Sequence, residues 1–576
     1  MAVRRAWRVA GAWGVALVLL AGGCARDARV VEGVAPAGPV PPARGASGED
    51  DGPAVRVGYD REITTASGAA RAWFNAGLLW TYGFNHDEAV RCFEHAARLD
   101  PRAAMPWWGK ALAHGININD PKMTPERWRV AAEAVGEAKK RLDGASEVER
   151  GLVEALERRY AWPPPADQRP LDEAYAEAMG RVHARFPDDP DVATVYAESL
   201  MNLQPWDLWT PGGEPKGRTE EIVRVLEGGL SRHADHPGLM HLYIHAVEAS
   251  SEPGRAEAAA DRLLERVPWS GHLVHMPAHI YARVGRYADC AETNARAAAV
   301  DRAYMATATT APGMYWVYYA HNLHFLAYAS MMEGREGAAL EAADRLDREI
   351  PEAVMKEVAP LVEGMFATRL HVLVRFGRWE RILREPEPVG EHRLVSRAAW
   401  RYARGVALAA LGRPREAREE ARAFEAAARA VPEDWVLFNN KVSAVLPIAR
   451  AMLEGEIAYR EGRVDEAWSA LHRGIEHEDG LVYDEPPGWM LPVRHALGAL
   501  LVGDGRFAEA EAVLREDQRR HPGNGWSLLG LKQALEGQGR QAEAAALEPA
   551  LARAWARADV RPAASCLCQV GPRAKP

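Results

Sequence analysis

The chain has 576 residues, of which 48% are hydrophobic and 26% charged, so it is not disordered as a whole and is long enough to bury a large core. Lys and Arg total 71 against 80 Asp and Glu, a net charge of −9 that leaves no basic surplus for nucleic acid. Five cysteines at this length exclude a disulfide-built scaffold.

Residues 1–23 read as a signal peptide. Arg4, Arg5 and Arg8 form its positive start. The apolar run from Val9 to Gly23 is shorter than the ~20 residues a membrane helix needs. It ends in Leu20-Ala21-Gly22-Gly23-Cys24, which resembles the lipobox of bacterial lipoproteins. The resemblance implies lipidation at Cys24, membrane contact through that lipid, and a place in the cell envelope facing the periplasm. Ala21 stands where a larger residue is usual, so an ordinary export signal containing a Cys is the alternative. Residues 24–62 are rich in Ala, Gly, Pro and Asp without apolar periodicity and read as a flexible tether.

From Ala69 onward the apolar spacing is helical. Counting Ala70 as position 1, Trp73 falls at 4, Gly77 at 8, Trp80 at 11, Ala89 at 20, Phe93 at 24, Ala96 at 27 and Pro101 at 32. Small residues at 8, 20 and 27 allow two helices to approach, and large ones fill the gaps between them. This pattern resembles the 34-residue tetratricopeptide repeat, a helix–turn–helix unit. The phase recurs with Gly at 15 and a small residue at 20: Gly285 with Cys290, Gly334 with Ala339, Gly412 with Ala417, Gly462 with Ala467, Gly505 with Ala510, and Gly539 with Ala544. Insertions interrupt it near 161–170, 204–217, 302–316 and 480–491. Segments such as FNHDEA at 84–89, HMPAHIYARVGRY at 275–287 and EPPGWMLPVRHALG at 485–498 resemble a group of largely uncharacterised bacterial tetratricopeptide-repeat proteins. That resemblance implies one architecture and brings no activity with it. The expected fold is an all-α solenoid, a superhelix of helix–turn–helix pairs. Its parts are irregular repeats over 63–235, a His-rich centre over 236–390, regular repeats over 391–560, and a tail over 561–576.

Histidine spacing carries the functional signal. Of 19 His, seven fall between His241 and His324. His241, His245 and Glu248 lie at offsets of four and seven; His272, His275 and His279 at three and seven; His321, His324 and Tyr328 at three and seven. Each trio shares one helical face. From 241 to 275 and from 245 to 279 is 34 residues, one repeat. The histidines thus take seven of the nine places at positions 2, 5 and 9 of three successive first helices, with Gly238 and Tyr328 in the other two; these positions resemble the concave ligand groove of tetratricopeptide domains. Imidazole with carboxylate suits Zn, Fe, Mn, Ni or Cu, which makes His241, His245, Glu248, His272, His275, His279, His321 and His324 candidate ligands. Tyr328 and His371 extend the groove. A groove for a protein, peptide or organic partner and plain packing are the alternatives. If the protein is an enzyme, a hydrolase or an oxidoreductase, Glu248 is the first choice of general base.

Pro205, Trp206, Asp207 and Trp209 are expected to cap the groove or pack on the helices, and Glu485 with Arg494 to form a buried brace. Asn85 and His86 read as turn caps, and Cys92 and Cys290 as small core residues. Cys566 and Cys568 stay open between a disulfide, soft-metal binding and a tail without chemistry. No phosphate loop, nucleophile elbow or HExxH motif occurs. The reading is a lipid-anchored solenoid that binds a ligand, foremost a transition metal, through a His-rich concave groove. A metal-dependent enzyme and a metal-free scaffold are the rivals.

Overall fold

The computed structural model describes residues 59–308 and 313–567. Cys24, the signal segment and Cys568 lie outside the described residues. Cys566 is disulfide-bonded, and Cys92 and Cys290 are free and buried. Among the described residues the chain is helical almost throughout, with a two-residue hairpin, Val436–Leu437 against Asn440–Lys441, as its sheet. No described helix is long and apolar enough to cross a membrane.

The local rules are visible in the first repeat. Helix Gly68–Tyr82 starts where the Ser67 side chain accepts from the Ala70 amide, and helix His86–Leu99 where the Asn85 side chain accepts from the Glu88 amide. A Cβ on Gly77 would lie 2.6 Å from Phe93, so the two helices meet only because position 8 is glycine. At the turn, position 15 takes a left-handed backbone. Gly285, Gly334, Gly412, Gly462, Gly505 and Gly539 all sit there at φ between 72° and 84°.

One buried apolar core runs from Trp73 to Ala544. The superhelix also closes on itself. Trp80 packs on Trp269 at 4.5 Å and on Tyr304 at 5.6 Å between ring centroids. From the far end, Trp526 Nε1 donates to the Met331 carbonyl at 2.8 Å, and Arg557 Nε to Glu333 at 2.8 Å. The central repeats are therefore wrapped from both sides. The concave face expected from the sequence is enclosed, because the chain on either side of it folds back over it.

Candidate metal centre

The histidines come from three neighbouring units. His241 and His245 lie on helix Pro237–Val247, with Glu248 as its C-cap. His272 and His275 lie on Gly271–His275, and His279 on Pro277–Arg283. The sequence pattern reads these last three as one helix. Pro277 lacks an amide hydrogen and breaks it at Met276. Helix Tyr315–Met332 carries His321, His324 and Tyr328.

Three donor groups result. His241, His245 and His272 offer one ring nitrogen each within 4.8 Å of one another; so do His275, His279 and His321; and Glu248, His279 and Glu485 form a third set. His241 is fully buried, and His245, Glu248, His272, His275 and His279 are at most 4% exposed. His321 is half-buried. His324 is buried but belongs to none of the three groups, and His371 packs against Trp489 at 4.7 Å. Tyr328 lines a cavity beside the cluster.

Hydrogen bonds fix several rings. His245 Nδ1 lies 2.9 Å from Glu248 Oε1. His279 Nδ1 lies 2.7 Å from Glu248 Oε2 and 3.3 Å from Glu485 Oε2, close charge contacts without the alignment of a good hydrogen bond. Asn294 Nδ2 donates to the Cys290 carbonyl, which leaves its Oδ1 to accept from His275 Nδ1 at 2.8 Å. Both ring nitrogens of His241 and of His272, and His245 Nε2, are buried without an aligned hydrogen-bond partner.

Electrostatics follow from this packing. Burial, reinforced by neighbouring imidazoles, pushes His241, His272, His275 and His321 well below the usual histidine range. Burial acts the same way on His279, but the charges of Glu248 and Glu485 outweigh it and raise that ring to about 10. Burial works upward on Glu248, yet His279 and His245 hold it down at about 2. Glu485 is raised by burial, with His279 opposing.

Several residues that build the centre are not evident from the sequence. Glu485 faces His279 rather than Arg494, whose guanidinium instead pairs with Asp479 at 2.6 Å. The expected Glu–Arg brace is thus absent, because the inserted turn at 480–491 carries Glu485 inward to the histidines. Phe84 packs on His241 at 4.6 Å and His272 at 5.4 Å, Trp206 on His245 at 5.2 Å, and Phe438 on His321 at 5.2 Å. These three aromatics are also the non-glycine residues with positive φ among the described residues, at 54°, 60° and 51°. Each such backbone costs about 1–3 kcal/mol, and such strain clusters at functional sites. Phe84 was open to detection: it occupies position 15, where the regular repeats have glycine.

Beside the cluster lies a cavity of about 730 Å³. His245, Glu248 and Glu485 form part of its wall, and Trp206, Trp209 and Tyr483 from the two insertions form another part. That volume falls within the range of small-molecule sites.

No family model and no curated protein matches this chain. Among solved structures it is similar to a human IFIT1 dimer with m7Gppp-AAAA at 13% identity, covering 86% of this chain and 91% of that one, with a TM-score of 0.31. It is also similar to Naa15/Naa10 bound to HypK-THB at 13% identity, covering 85% and 84%, with a TM-score of 0.24. Likeness at this level carries no argument about the site. The tetratricopeptide-like helical solenoid is read from the chain's own paired helices and glycine turns.

Proposed function

We propose that this protein is an envelope-anchored helical solenoid that binds a transition metal, one of Zn, Fe, Mn, Ni or Cu, in its enclosed histidine–carboxylate cluster. The observation that carries the reading is the set of buried, unpartnered ring nitrogens on His241, His245 and His272. A buried polar atom without a partner costs about 1–3 kcal/mol, and folded proteins rarely keep several in one place. A metal ion takes one nitrogen from each ring, so it satisfies three of these five atoms together. The rings need to draw in by less than about an ångström to reach ordinary metal–nitrogen distances of about 2.0–2.1 Å. The anchoring half of the reading rests on Leu20-Ala21-Gly22-Gly23-Cys24 and the tether behind it.

Elemental analysis of the purified full chain tests the metal. At least one equivalent is expected as isolated, or after dialysis against the divalent ions. A chain that carries none and takes up none overturns the reading and leaves a scaffold or an organic-ligand site.

The cavity supports a second reading, a metal-dependent hydrolase or oxidoreductase, because its wall includes Glu248 and Glu485. In that reading Glu248 positions rings rather than abstracting protons. Both its oxygens face histidines, and a carboxylate near 2 is poorly matched to general-base work at neutral pH.

A further inference from the structure

The enclosed histidines group by repeat position, not by helix. His241 and His245 of one unit meet His272 of the next, and His275 and His279 of that unit meet His321 of the unit after. Each group therefore combines positions 5 and 9 of one repeat with position 2 of the following one. The second group is the first carried one repeat along the superhelix. From 241 to 275 and from 245 to 279 is 34 residues, and from 272 to 321 is 49, one repeat plus the insertion.

The series is cut at both ends for steric and chemical reasons. At position 2 of the first unit stands Gly238, where even a Cβ would come within 2.7 Å of Thr194. Beyond the second group, Tyr328 takes position 9 and Gly364 position 2, so His324 is left without companions.

One carboxylate serves both groups. Glu248 has no counterpart in the next two units, where Ala282 and Met331 stand at position 12. Its Oε1 meets His245 Nδ1 at 2.9 Å and its Oε2 lies 2.7 Å from His279 Nδ1, the position-9 histidine of each group. A carboxylate on Nδ1 turns the Nε2 lone pair of the same ring outward, the arrangement that orients histidine ligands. Asn294 does the same for His275. His275 Nε2 and His279 Nε2 then lie 2.8 Å apart, a hydrogen-bond contact about 0.5 Å shorter than the spacing of two nitrogens on one tetrahedral ion. Rings of the two groups approach to 6.0 Å (His272 to His275) and 6.1 Å (His245 to His279) between centroids, so the groups are adjacent but share no ring.

Resting on the metal-binding reading, we propose that the repeat builds two equivalent three-histidine ion positions, His241/His245/His272 and His275/His279/His321, coupled through Glu248, so that each chain takes up two transition-metal ions. Three protein donors are one short of a tetrahedral shell, which leaves each ion a place for water or a small donor molecule.

Titrating the metal-stripped full chain with Co(II), with bound metal counted after equilibrium dialysis, tests this. Wild type should bind two equivalents. His321→Asn and His272→Asn should each bind one. Glu248→Gln should weaken both positions about 10- to 100-fold, the effect of losing a carboxylate behind a ligating histidine, and should shift the visible Co(II) bands of both. His321 is half-buried, so its variant puts the fold at least risk, and a circular dichroism melt confirms that each variant is folded. Saturation of wild type at one equivalent, or retention of two by folded His321→Asn, overturns the two-position arrangement while the metal reading stands. No uptake at all overturns both.

Discussion

The Nε2 atoms of His275 and His279 lie 2.8 Å apart in a pocket from which water is almost excluded. Because Asn294 accepts from His275 Nδ1, His275 Nε2 presents its lone pair; the protonated His279 of the metal-free chain donates to it, and an ion bound there takes the place of that proton. The sequence pattern places both rings on a groove face outside the inter-helix core, where alanine would remove metal binding but leave the fold largely intact. The structure places them at 1% and 4% exposure. His275→Ala/His279→Ala should therefore lose the ion of the second group, keep that of His241, His245 and His272, and also lose stability. The buried Asn294 oxygen alone, left without a donor, costs about 1–3 kcal/mol. Urea unfolding checks this; an unchanged midpoint would show that the two rings add nothing to packing.

Phe84 should behave unlike an ordinary core phenylalanine. Phe84→Gly relieves a left-handed backbone worth about 1 kcal/mol or more, yet removes a buried ring worth about 3–5 kcal/mol. A net loss of up to about 4 kcal/mol is expected, since the ring covers His241 and His272. A variant more stable than wild type in denaturant melts would mean that the ring does not pack as described.

Acid should weaken one remote lock in a defined direction. Asp191 is buried, which raises its carboxyl, but Arg61, His236 and Tyr59 more than offset this and hold it well below the usual range. Arg61 Nη1 lies 2.6 Å from its Oδ2. A folded pKa below the unfolded one contributes stability that is present above about 4 and lost as pH falls through the folded value. Wild type should exceed Asp191→Asn in urea midpoint at pH 7, with the gap closing below about pH 4. A gap independent of pH would remove the ion pair as its cause.

Lipidation at Cys24 predicts a mature N-terminus at that residue with a mass increased by acyl chains. Cys24→Ser should release the protein from the membrane fraction. An unmodified Cys24, or cleavage at another site, counts against the anchor.

Much of the architecture is determined by the sequence alone. Glycine at position 15 and small residues at 8 and 20 act within one helix pair, so local chemistry suffices to specify the turn and the close approach, and all six predicted turn glycines are left-handed. The histidine phase was legible for the same reason, because a 34-residue period brings equal positions onto one face. Tertiary structure decided which donors meet and how deeply they lie. Glu485 reaches His279 from a turn more than 200 residues away, and Phe438 reaches His321 from a short hairpin; no periodicity encodes either contact. Enclosure was likewise beyond local pattern. It depends on the last repeats returning to the central ones, as Trp526 does to Met331, and that closure results from small rotations summed over the whole superhelix.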